Sequence, residues 1–152
     1  MTAQRVQLAG GLALSVPDGW QQVEPPPGLA LLAFDQRGLG SGSTPCLVVT
    51  RSATETLDLD EWMAGTLLVL REACVGFQLI DLTGTTLAGQ DARLALITYV
   101  GEDGTELTLQ HWGAIAEGWG LGLDLTCATG DFPVHRPLAQ GVTDSLEWEV
   151  SL

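Results

Sequence analysis

The stretch ARLALITYVGEDGTELTLQHWGAIAEGWGLGLDLT, Ala92 to Thr126, alternates its side chains with a period of two through three successive runs. In the first run Ala92, Leu94, Leu96 and Thr98 alternate with Arg93, Ala95, Ile97 and Tyr99, as in a strand whose successive residues face opposite ways. Glu102-Asp103-Gly104 and Glu117-Gly118 supply turn chemistry between the runs. Leu107 and Leu109 share a side with His111 in the second run, Glu106 to Ala116; Leu121, Leu123 and Leu125 share one in the third, Trp119 to Thr126. Strands joined by such short turns form an antiparallel meander.

Upstream, Arg5 to Leu8 and Leu12 to Val16 alternate around Gly10-Gly11 and predict a hairpin. Pro17 cannot donate to a ladder, and Asp18-Gly19 turns the chain, so the second strand ends there and Trp20 begins the return path, as a ligand-stacking residue, a partner-facing anchor or a plug that closes one end of the core. Gly28 to Phe34 and Cys46 to Thr50 read as strands on either side of a Gly/Ser loop, Gln36 to Pro45. That loop holds Gly38-Leu39-Gly40-Ser41-Gly42, but it leads into a strand rather than opening a helix and lacks a Gly-Lys-Ser/Thr ending, so it is a hairpin loop and not a phosphate cradle. Phe77, Leu79 and Leu82 mark a further strand.

Two helices accompany the strands. The first, over 58–74, has Asp58 or Thr56 as N-cap, and Asp60 and Glu61 favourably placed at its N-terminus; Leu59, Trp62, Met63, Leu67, Leu70 and Cys74 form one apolar stripe. The second is expected over 136–146, because Pro137 suits a first turn and would break a helix begun at Asp131. Leu138, Val142 and Leu146 make its stripe, which Gly141 weakens. Glu147 to Val150 is a tail or a last edge strand. The order of strands, helix, strands, helix specifies an α+β fold in which helices cover an antiparallel sheet.

The chain has 152 residues, 45% hydrophobic and 16% charged, which is the composition of one globular domain spanning 1–152. Nineteen acidic residues against six basic ones give a formal charge of −13, which repels phosphate backbones and anionic lipid surfaces. Nucleic acid is therefore excluded as a partner, which leaves basic partners or none. The three cysteines, Cys46, Cys74 and Cys127, are widely spaced and read as buried thiols in a reducing compartment. No apolar run has the length needed for membrane insertion, and Met1 to Arg5 leads straight into alternating residues, so a cytoplasmic protein is expected.

Candidates for chemistry are few. His111 and His135 lack neighbouring ligand-type or nucleophilic residues in sequence, and no metal or cofactor motif is present. Asp58, Asp60 and Glu61 are explained by the helix start, Glu102 and Asp103 by the hairpin turn, and Glu147 with Glu149 by alternating exposure near the terminus. A hydrolase would require His111 or His135 to converge with a serine or a carboxylate.

The segments "LSVPDGW", "PCLVVT", "LDEWMAGTL", "GQDARLALITY", "LTLQHW", "TCATGDF" and "DSLEW" run in order through nearly the whole chain and resemble the PsbP-like fold group. Within it they are most similar to the DcrB-like and LpqN-like bacterial proteins, which include the Eag-type chaperones of secreted effectors. The resemblance implies a three-layer α/β/α sandwich around an antiparallel sheet of about six to eight strands, without catalytic residues. It also implies a binding role, since members include a small-GTPase partner, a photosystem subunit and effector-loading chaperones. LpqN-like relatives are typically exported lipoproteins, whereas this chain shows no signal peptide or lipobox.

The expected function is thus a non-enzymatic protein-binding module, a chaperone or adaptor, for which a homodimer is one conceivable form. Five tryptophans support it, with Trp112 and Trp119 around one hairpin as anchor candidates. The alternative is a small-ligand protein with a pocket between sheet and helix, in which Trp20 or Trp112 forms a stacking wall and Arg93 or His111 a polar contact.

Overall fold

The computed structural model describes residues 4–38, 44–56 and 58–149. Among the described residues ten strands and two α-helices follow one another as β1 (Gln4–Leu8), β2 (Leu12–Val16), β3 (Trp20–Val23), β4 (Leu29–Asp35), β5 (Cys46–Ala53), α1 (Leu59–Ala73), β6 (Gln78–Leu87), β7 (Gln90–Val100), β8 (Glu106–Ala116), β9 (Trp119–Ala128), α2 (Phe132–Ser145) and β10 (Glu147–Trp148). The glycine run of the β4–β5 connection lies mostly outside the described residues; its flank, Pro45, does lead directly into β5.

The meander forms as its alternation dictates. Glu117 and Gly118 both have positive φ (51° and 79°), as do Ala88 and Gly89 (52° and 79°), so each pair makes a two-residue turn whose twist suits the flanking strands. Seven antiparallel strands assemble in the order β3-β4-β5-β9-β8-β7-β6, and a smaller sheet in the order β1-β2-β10. Near the start, Trp20 donates its amide to the Pro17 carbonyl (3.2 Å) across a turn in which Gly19 takes φ 81°.

The large sheet separates two packed layers. On one side α1 lays Met63 against Ala95, Ile97 and Leu109, with Trp62, Leu67 and Leu70 packed around them. On the other side α2 and the small sheet enclose the larger core, where Leu12, Leu14, Leu47, Leu121 and Leu123 are fully buried. This is the expected α+β sandwich, with a small sheet added to the α2 layer. The C-terminal segment resolves as a strand, β10, paired with β2.

Both helices follow their sequence signals, but one starts earlier than expected. Asp58 caps α1 by accepting from the amides of Asp60 (3.0 Å) and Glu61 (3.2 Å). α2 begins at Phe132, not Arg136, and Pro137 lies inside it. Pro133 sits in its first turn, where a proline is preorganised for helix and needs no donor. Pro137 then removes only the single amide that would have reached back one turn, and the helix continues through it.

Candidate functional site

β9 reads Trp119-Gly120-Leu121-Gly122-Leu123-Asp124-Leu125, so leucines point to the α2 layer and glycines to the α1 layer. The glycines make room. A Cβ on Gly120 would lie 2.6 Å from Trp62 Cζ2, and one on Gly113 of β8 2.7 Å from Trp62 Cζ3, so the indole lies flat on bare backbone. Gly122 leaves space for Thr50 and for the ring of His111.

His111 is buried on this same face, and its Nδ1 bonds to Asp124 Oδ1 on the neighbouring strand. With Asp124 ionised, Nδ1 carries the proton and Nε2 is left as a buried acceptor with no partner. That arrangement would orient a general base, yet no hydroxyl or thiol among the described residues reaches Nε2. Burial also raises the thiols of Cys46, Cys74 and Cys127, the last to about 11, so all three are protonated at neutral pH. His135 lies on the opposite face, beside Trp20 and Cys127, so the two histidines do not converge. Among the described residues no group of three His, Cys, Asp or Glu side chains is placed to hold a metal.

Sequence reading missed the His111–Asp124 pair, although a signal was available. The turn at Glu117-Gly118 pairs Ala116 with Trp119, and counting back along that hairpin sets His111 opposite Asp124. Burial pushes the Asp35 carboxyl up, but hydrogen bonds from the Arg37 side chain (2.9 and 3.3 Å) and amide (3.0 Å) outweigh it and hold the group below its usual range.

The structure divides the other expected contact residues between the two sides of the sheet. Trp20 and Trp112 are buried in the α2-side core, 6% and 4% exposed, so neither offers a surface to a partner. Arg93 and His111 face α1. The sheet lies between the supposed stacking walls and the supposed polar contacts, and that pocket is not assembled. Arg93 instead ties α1 to the sheet, bonding Asp60 (2.9 Å) and Asp91 (3.0 Å), and these pairs hold its guanidinium above its ordinary value.

Trp119 does meet a cleft. The Arg51 guanidinium lies 3.5 Å from the centroid of the Trp119 ring, and Gly10 and Gly11 with Glu117, Trp148 and Glu149 complete a cavity of about 580 Å³. Arg51 makes no ion pair among the described residues, whereas Arg5, Arg37 and Arg93 each do. Gly10 has φ 79°, and its missing Cβ leaves the space that the guanidinium fills.

Apolar side chains also gather at the surface. Leu68 and Val69 on α1, Val75 in the connection, and Leu79, Ile80 and Leu82 on β6 are all between 43 and 73% exposed. A groove of about 430 Å³ runs between α1 and β6, lined by Ala64, Leu67, Leu68, Arg71, Phe77 and Leu79. β6 is ten residues long, stands at the edge of the sheet, and is exposed along nearly its whole length. In sequence its apolar residues mark a strand, and periodicity does so without revealing the strand's place in the sheet.

No protein-family model and no curated protein matches the chain. Solved structures do. The cyanobacterial PsbP (CyanoP) of Synechocystis sp. PCC 6803 superposes with a TM-score of 0.75 at 18% identity, covering 97% of this chain and 93% of CyanoP. LpqN of Mycobacterium tuberculosis, involved in cell envelope biogenesis, gives 0.71 at 18% identity, covering 90% and 82%. The Ran-binding protein Mog1p of Saccharomyces cerevisiae gives 0.65 at 12% identity, covering 97% and 96%. None of the three is named for a catalytic activity. With its seven-stranded antiparallel sheet between α1 and the α2 layer, the chain has the PsbP-like fold that CyanoP and LpqN share.

Proposed function

We propose that the chain is a non-enzymatic protein-binding module, a chaperone or adaptor, that holds its partner on the α1–β6 face. The observation that carries this reading is the continuity of that surface: apolar side chains exposed on a helix, its connection and an edge strand, with a groove between them. Contiguous exposed apolar area of this kind marks docking sites. A Ran-binding protein of the same fold supports the protein-partner class. Three free cysteines support work in a reducing compartment such as the cytoplasm.

A photo-crosslinking residue at Ile80, introduced in the cells that make the protein, is expected to give discrete protein adducts. The same residue at exposed Gln140 on α2 serves as the control. Identical adduct patterns at the two positions would sink the reading. The Arg51–Trp119 cleft favours a second reading, a small carboxylate ligand stacked beside the indole. A melting-temperature screen of small carboxylic acids separates it from the first, since a bound ligand stabilises by mass action.

A further inference from the structure

On the basis of this docking face, we propose that β6 captures an extended basic segment of its partner by strand addition, with the segment's apolar side chains turned toward α1 and its Lys or Arg side chains turned away. One edge of β6 is paired with β7 and the other is unpaired among the described residues, leaving amides and carbonyls that a further strand would satisfy; the Leu82 amide alone is already taken, by Asp81 Oδ1 (2.9 Å). Exposed edges are ordinarily blunted by lysine, proline, charge or a β-bulge; β6 has no lysine or proline, and its bulge and its one charge lie together at Leu79–Asp81, which leaves the regular stretch from Leu82 to Leu87 open.

The faces of β6 set the chemistry of the incoming segment. Leu79 and Leu82 pair with Ile97 and Ala95, which puts them on the α1 side beside the groove of Leu67, Leu68 and Phe77. Asp81, Thr83 and Thr85 fall on the other side. An added strand alternates likewise, so its residues beside the groove are apolar and those beside Asp81 are cationic. Arg71 borders the groove on the α1 side, which further assigns the basic residues to the opposite face. Charge selects among occupants: a chain of −13 attracts a basic segment and repels a second copy of itself.

The probe is a capped nine-residue peptide of alternating valine and lysine, compared with the same peptide N-methylated on alternate amides, which keeps charge and side chains but cannot complete a ladder. The unmodified peptide should slow hydrogen exchange at the β6 amides, and methylation should weaken its binding about tenfold or more, the loss of two or more net hydrogen bonds. Thr83→Lys should weaken binding similarly, with the far-UV circular dichroism unchanged. Equal binding of both peptides would overturn strand addition while leaving apolar docking on α1–β6 in place. Binding without β6 protection would overturn it also. A dimeric mass in sedimentation, with β6 already protected in the absence of peptide, would assign the edge to a second copy and overturn the basic-segment proposal.

Discussion

Gly120 is empty so that Trp62 can be seated. Its backbone has no positive φ, so the requirement is space alone. A methyl group there must displace a rigid indole wedged between α1 and the sheet, an overpacking change expected to cost about 1–3 kcal/mol. Urea denaturation of Gly120→Ala should show that loss, and an unchanged midpoint would mean that Trp62 is less firmly seated than its contacts imply. The same scale shows what the sequence made legible. Trp20 was readable as a plug, since Pro17-Asp18-Gly19 ends one strand and the indole begins the next at 6% exposure. The partner of His111 was not read, because Asp124 joins it through strand register rather than proximity in the chain. Arg51 gave no signal at all: the residue that stacks on Trp119 belongs to a strand far upstream, and nothing local marks it.

Among the elements, α2 combines a strong apolar face with weak helix formers. Ala139 and Val142 are buried, while Gly141 between them has open space around its Cα. Filling that position removes backbone freedom from the unfolded chain without a steric conflict. Gly141→Ala should therefore stabilise the protein by about 0.5–1 kcal/mol, read as a rise of about 1–4 °C in the melting temperature. A fall would show that α2 needs a weak point there. The early start of α2 was missed because Pro137 was weighed as a breaker without crediting Pro133 as a starter. The meander was read nearly to its ends, since both its alternation and its turns are local. The exposure of β6 was not, since it depends on where the strand lies in the sheet.

The whole molecule is unequally anchored on its two sides. Among the described residues nineteen buried side chains form the α2-side core, whereas four are buried beneath α1. Native-state hydrogen exchange should accordingly find the α1 amides opening at a lower free energy than those of β8 and β9. Uniform opening energies would show instead that the layers unfold as one unit. The sandwich itself was legible from the order of elements, but its layering of small sheet with α2 was not, because β10 pairs with β2 across nearly the full length of the chain. The alternation of β9 has a consequence for how such a molecule varies. Substitutions at Leu121, Leu123 and Leu125 bear on the packing of α2 and the small sheet, while those at Gly120, Gly122 and Asp124 bear on the seats of Trp62, Thr50 and His111 on the opposite face. Neighbouring codons thus answer to different layers, and a change at one position of β9 disturbs the packing on one side of the sheet while the contacts of the other side stay in place.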